Sequence, residues 1–282
     1  MKIKALLLPA VLACAALPAL SALAAAPDKE MDERGTVHIN AMKNPELKSY
    51  RAIVAGLDKF DDLHALAPGV PQLRFQVESK AKADGPPAAE PLAARIATDD
   101  FSIPLALDKD ARFSVPRSQP AYDGKAELIL NSKQRAARVE TYVRTPGLAD
   151  DRYRMGDVRL DCQVKIAIGK EEIPFWANAL VNSILLTTDW CSWFKGATPK
   201  GGDRYWPHRA GAALSAATLR EGERSMPLKV DGKTFRLPIG DTSWSNDATI
   251  ELVFAAAAGK PADATPGAAA AMEALSATAS AR

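Results

Sequence analysis

Four of the five tryptophans, Trp176, Trp190, Trp193 and Trp206, fall between residues 176 and 206, with Phe175, Phe194 and Tyr205 among them. Flat aromatic faces beside a few polar groups suit sugars and peptides. Asp189, Asp203, Arg204 and His208 supply such groups, so the candidate ligand-binding set is Trp190, Trp193, Trp206, Asp203 and His208. The competing reading is that these rings pack around a disulfide and over a sheet. Trp244 favours packing. It lies six residues after Pro238, just as Tyr122 lies six after Pro116, so both copies of an internal repeat carry an aromatic at one position.

Other catalytic chemistry finds little support. None of the three histidines, His38, His64 and His208, stands in a His-Glu-x-x-His motif. The chain has no Gly-x-Ser-x-Gly elbow, no Ser-x-x-Lys set and no glycine-rich phosphate loop. The acidic pairs Asp61-Asp62, Asp99-Asp100 and Asp150-Asp151 read as solvated turns, since a glycosidase pair must face across a substrate. Asp108 and Asp110 form a calcium candidate without an EF-hand loop. No catalytic residue, cofactor or metal ligand is therefore assigned, and the enzyme question leans towards no.

Of the three cysteines, Cys14 lies in the apolar opening stretch, which leaves Cys162 and Cys191. Two thiols in an exported chain pair most simply as a disulfide. A metal site using Cys162, Cys191 and His208, or a redox pair, is the rival reading. It lacks a Cys-x-x-Cys motif and close ligand spacing.

Export follows from the N-terminus. Lys2 and Lys4 precede an apolar run to Leu23, closed by Ala22-Leu23-Ala24 just before Pro27 and Asp28. This is the pattern of a secretory signal over residues 1–24. The variant in which Val11-Leu12-Ala13-Cys14 directs acylation of Cys14 is weaker, because apolar sequence continues well past the cysteine. Loss of the signal removes two lysines from a formal charge of +2, leaving a nearly neutral mature chain with no basic face for nucleic acid. No other apolar run is long enough to span a bilayer, so the mature chain has no expected transmembrane segment. The expected location is periplasmic or secreted, and the expected partner is an envelope protein or a glycan.

The elements that would position these residues read as follows. After a flexible stretch, 25–43, Asn44 and Pro45 resemble an N-cap and first helical residue. Leu47, Tyr50, Ile53, Val54, Leu57, Phe60 and Leu63 continue at helical spacing, which predicts an amphipathic helix over 44–68. The period then becomes two at Leu73, Phe75 and Val77, opening a first β unit over 72–144. An inserted segment, 145–200, holds a strand over Val158–Ile168, with Val158, Leu160, Cys162, Val164, Ile166 and Ile168 on one face. A helix follows over Ile173–Leu186, its apolar stripe opposite Asn178 and Asn182. A second β unit spans 205–254, and an Ala-rich tail, 255–282, is expected to be disordered.

The two β units read as copies. Ser102-Ile-Pro-Leu-Ala-Leu-Asp108 aligns with Ser225-Met-Pro-Leu-Lys-Val-Asp231, Phe113-Ser-Val-Pro116 with Phe235-Arg-Leu-Pro238, and Ala126–Leu130 with Ala248–Leu252. Each copy predicts a hairpin, a loop and a third strand, with Asp231-Gly232 as a tight turn. The fold class is thus α+β, mainly β: two related sandwich-like units, an inserted strand-helix segment and an N-terminal amphipathic helix.

Val143-Arg-Thr-Pro-Gly-Leu148, Met155–Val164, His64-Ala-Leu-Ala-Pro68 and Asp241–Asp247 together resemble stretches of an uncharacterised family of exported proteobacterial proteins. The resemblance implies export and supplies no activity or site residue. The function expected from sequence is an exported, non-enzymatic binding or structural module of the periplasm or envelope. Its alternatives are a carbohydrate- or peptide-binding protein using residues 176–206, and a hydrolase with an unrecognised site.

Overall fold

The computed structural model describes residues 45–79, 91–133, 136–197 and 202–256. The signal, the 25–43 stretch, most of the Ala/Pro-rich segment after Ser79 and the tail from residue 257 lie outside them. The described chain runs β1 (Pro45–Ser49), α1 (Tyr50–Asp62), β2 (Arg74–Ser79), β3 (Ala94–Ala97), β4 (Ser102–Leu105), β5 (Arg112–Phe113), α2 (Gln119–Asp123), β6 (Glu127–Lys133), β7 (Ala137–Tyr142) and β8 (Arg152–Arg154). It continues through α3 (Met155–Glu172), α4 (Phe175–Leu185), β9 (Gly196–Ala197), β10 (Asp203–Arg204), β11 (Trp206–Arg209), β12 (Leu214–Glu221), β13 (Arg224–Pro227), β14 (Val230–Asp231), β15 (Thr234–Leu237) and β16 (Thr249–Phe254). The fold is α+β with mainly strands, arranged in several antiparallel sheets.

Two four-stranded sheets have orders β1-β6-β3-β4 and β8-β16-β12-β13, and each is entered by a strand that runs directly into a helix. Smaller sheets, β5-β2-β7 and β11-β15-β14, accompany them. In the first half the strands expected to form one hairpin diverge, and in the second only the short β14 keeps the expected pairing with β15 while β13 goes elsewhere. β4 pairs with β3 while β5 pairs with β2, and β13 pairs with β12 while β15 pairs with β11. The Asp231-Gly232 turn does form, joining β14 to β15 with Gly232 at φ +56°.

The expected strand over Val158–Ile168 is helical, the middle of α3. Its alternation resolves into two stripes of spacing four. Val158 and Cys162, with Met155, enter one hydrophobic core beside β12, β15 and β16, and Ile166 packs against its margin. Leu160, Val164 and Ile168 enter the other core with α1, β2, β3 and β6. A helix buried on both sides carries apolar residues at i and i+4 on each side, and two such stripes offset by two residues mimic a strand. α1 crosses α3 closely: a Cβ added at Gly56 would lie 2.7 Å from Ile168 Cγ1.

The helix expected from residue 44 begins at Tyr50, because Pro45–Ser49 completes a sheet edge by pairing with β6. Proline is tolerated on an edge, where its missing N–H is not needed, and the register shifts beside Pro45. Tertiary pairing here overrides a helical pattern. The Tyr50 hydroxyl then ties α1 to the loop before α2, donating to the Pro116 carbonyl at 2.8 Å and accepting from Ser118 N at 2.7 Å.

Cys162 and Cys191 form the expected disulfide, with Cα atoms 6.1 Å apart. It joins α3 to a 3-10 turn, Trp190–Trp193, rather than a strand to a helix. Closing a loop of sequence separation 29 is expected to stabilise the fold by roughly 3 kcal/mol. A Cys162→Ala/Cys191→Ala variant should show that loss in urea unfolding, and a midpoint unchanged from the oxidised protein would contradict it.

Candidate functional site

A cleft of about 860 Å³ opens between β2 and β7 on one side and β11 on the other, with α3 contributing Asp161 and Lys165. The β alternation builds its first wall. On β2, Phe75 and Val77 are buried while Gln76 and Glu78 line the cleft, and on β7 the cleft receives Arg138, Glu140 and Tyr142. Gln76 lies opposite Glu140, and Glu78 opposite Arg138.

Asp161 is the deepest polar group, 1% exposed. One carboxylate oxygen accepts from the Thr141 hydroxyl at 2.5 Å, and the other accepts from Lys165 Nζ at 2.8 Å. His208 Nδ1 stands 3.5 Å from that second oxygen, within ion-pair range but long for a formed hydrogen bond. Burial alone would raise the Asp161 carboxyl. The Lys165 ammonium, aided by His208, overcomes burial and holds it well below the usual carboxylate range. Burial likewise opposes charge on Lys165, but Asp161 and Glu140 outweigh it and hold the ammonium above its ordinary value.

From Asp161 a chain of alternating charge runs along the cleft. Lys165 lies 3.6 Å from Glu140, Glu140 3.1 Å from Arg138, Arg138 2.7 Å from Glu78, and Glu78 3.6 Å from Arg209. Two further cations in the lining, Arg144 and Lys233, have no carboxylate within 4 Å among the described residues. Arg144 lies 4.2 Å over the Tyr153 ring and donates to the Ala149 carbonyl, and Lys233 Nζ reaches the Gly211 carbonyl at 3.3 Å. Burial raises the Tyr153 phenol, against the pull of Arg144. The His208 ring packs edge-on against Tyr153 and Phe235 at 5.4 and 5.3 Å. His208 Nδ1 and Trp206 Nε1, both on residues lining the cleft, are buried without a hydrogen-bond partner among the described residues.

Of the five candidate ligand-binding residues, the structure brings only Trp206 and His208 to this cleft. Trp190 donates its indole N–H to Asn182 Oδ1 at 2.7 Å and carries Lys170 over its ring. Trp193 and Phe194 continue edge-on towards Trp206, with the Arg204 guanidinium 4.6 Å over Trp193. Asp203 is an exposed partner of Lys229. Asp189 caps the Trp190–Trp193 turn. The plug reading of the tryptophans holds for Trp244, 2% exposed, and fails for Trp176, 61% exposed.

Asp108, half of the calcium candidate, accepts from Asp110 N and Arg112 N and pairs with Arg74 at 2.7 Å. These bonds lower its carboxyl to about 2 and occupy both oxygens. Among the described residues no group of three metal-ligating side chains converges. Sequence reasoning missed Asp161, Lys165, Glu140 and Arg144. The spacing of four between Asp161 and Lys165 is the signal that a helical reading would have used.

Comparisons with known protein families, with curated proteins and with solved structures find no match for this chain.

Proposed function

We propose that the chain is an exported, non-enzymatic binding module whose ligand is a small acidic molecule, such as a carboxylated glycan or an acidic peptide, held in the central cleft. The carrying observation is the imbalance of its lining, where the cations Arg112, Arg138, Arg144, Lys165, Arg209 and Lys233 outnumber the carboxylates Glu78, Glu140, Asp150 and Asp161. Glu78, Glu140 and Asp161 are closed into the ion-pair chain, while Arg144 and Lys233 have no ion-pair partner among the described residues. Aromatic walls from Tyr142, Tyr153 and Trp206 add flat apolar surface. On this reading ligand recognition belongs to the cleft rather than to the whole 176–206 segment. The disulfide is compatible with an oxidising compartment. Among the described residues no helix is long and apolar enough to cross a membrane.

The matched orders β1-β6-β3-β4 and β8-β16-β12-β13, each led by a strand-helix unit, support descent of the two halves from one duplicated unit. On that reading β2 and β11 are equivalent strands and α1 and α3 equivalent helices. The cleft then lies where the two copies meet, a common place for ligands.

Titration of the mature protein with an oligogalacturonate, an acidic peptide and a neutral glycan, followed by Trp emission and calorimetry, tests the proposal. An acidic probe should bind saturably and the neutral glycan should not. Arg144→Ala should weaken binding at least about tenfold with an unchanged melting temperature. Equal binding of neutral and acidic glycans would refute the reading. Turnover of a probe would favour a hydrolase instead, with His208, 3.5 Å from Asp161, as the first residue to substitute.

A further inference from the structure

α4 is turned inside out relative to its sequence. The residues facing the body are Asn178, whose side chain donates to the Lys170 carbonyl at 2.9 Å, and Asn182, which accepts from Trp190 Nε1, with Ala177, Val181 and Leu185 half-buried between them. The outward stripe is apolar: Phe175 is 85% exposed, Trp176 61%, Leu180 55% and Ile184 69%, followed by Leu186 at 89%. No residue of α4 is buried. Near the middle of the stripe stand two small residues one turn apart, Ala179 and Ser183, and the Ser183 hydroxyl is satisfied within the helix by the Ala179 carbonyl at 2.9 Å.

We propose that this stripe is the interface of a two-fold symmetric dimer, in which α4 of one copy packs antiparallel on α4 of a second copy. At roughly 200 Å² per large side chain, the five exposed residues offer about 700 Å² of surface from each copy. A standard stable interface buries roughly 800 Å² per partner. The stripe is also self-complementary. Antiparallel pairing sets the aromatic end, Phe175 and Trp176, against the aliphatic end, Ile184 and Leu186, while Ala179 and Ser183 let the backbones approach at the two-fold. The Ser183 hydroxyl is already satisfied within the helix and can be buried without a new partner.

Charge favours this occupant over a bilayer. Interfacial helices carry Lys and Arg on their polar face. α4 has no charged residue, and Glu171, Glu172 and Asp189 flank it with exposed carboxylates. At eleven residues it extends only about 16 Å and cannot cross a membrane.

Sedimentation equilibrium of the mature protein should show a reversible dimer. In Leu180→Glu/Ile184→Glu, association should weaken at least about a hundredfold, while at concentrations where the wild type is monomeric the urea midpoint should be unchanged, because both residues face outward. Ala179→Cys, which keeps the apolar stripe, should form an intermolecular disulfide under mild oxidation that the native pair does not exchange. A wild-type monomer up to about 100 µM would overturn the proposal. So would a dimer unaffected by the double variant, or flotation of the monomer with phosphatidylcholine vesicles.

Discussion

Replacing Lys165 with methionine is expected to destabilise the fold by about 3 to 5 kcal/mol at pH 7, the usual result of removing one partner from a buried ion pair. Asp161 would keep only the Thr141 hydroxyl and the 3.5 Å contact to His208. Glu140, 3.6 Å from the ammonium in the native protein, would add repulsion where it now shares a cation. The pH dependence carries a sharper signature. In the wild type the Asp161 carboxyl is held below its unfolded value, near 3.9. Its contribution is complete about one unit above that value and is lost progressively as pH falls further. In Lys165→Met, burial becomes the dominant influence and raises the carboxyl above its unfolded value. The sign then reverses. The unfolded state ionises first as pH rises through about 4, so stability falls towards neutrality. Urea midpoints should therefore rise for the wild type between about pH 2 and pH 5 and then level, whereas for the variant they should fall from about pH 4 towards pH 7. Parallel curves would show that Lys165 does not neutralise Asp161. Asp161→Asn/Lys165→Met, which removes both charges, should recover much of the loss.

How far the sequence announces this fold is decided by period and by reach. β2, α4 and the β14–β15 turn are legible because their patterns are local: alternation at Phe75 and Val77, helical spacing after Pro174, and Asp231-Gly232 between paired strands. The disulfide is legible because two thiols leave one pairing. α3 is not, since a helix buried on two opposite faces has no polar face to reveal its period. With α3 misread as a half-exposed strand, Asp161 and Lys165 fall on a supposed solvent face and the centre of the cleft disappears. The helix start at Tyr50 is hidden for another reason. Pro45–Ser49 becomes a strand only through β6, some eighty residues further on.

The cleft itself depends on such distant pairings. Glu78 meets Arg138 through the β2–β7 ladder, and His208 reaches Asp161 across the separation between β11 and α3. No window of sequence contains either contact. The aromatic segment was conspicuous for the opposite reason, being dense along the chain, yet its members are dispersed in space. Trp206 faces the cleft, Trp190 packs on α4 and Trp176 lies on an open face. Clustering along the chain is a weak guide to clustering in a site when a helix, a turn and a strand intervene.

Trp244 supplies the second large effect. Its ring is 2% exposed in the core formed by α3, β12, β15 and β16, and the Arg224 guanidinium sits 3.6 Å from the ring centroid. Its carbonyl accepts from Arg159, whose guanidinium also reaches the carbonyls of Ile239 and Asp241 and the Asn246 side chain. The loop 239–246 is thus fastened to α3 by one arginine and filled from within by one ring. Trp244→Ala should cost about 3 to 5 kcal/mol, combining lost burial with the cavity left behind. Trp244→Phe, which keeps an aromatic face for Arg224, should cost less than half of that. Tyr122, the counterpart expected from the sequence repeat, is 39% exposed with Arg51 over its ring. Tyr122→Ala should therefore cost no more than about 1 kcal/mol. Urea unfolding of the three variants measures the contrast. If Trp244→Ala and Tyr122→Ala cost the same, the Trp244 ring is not the filling of the second core.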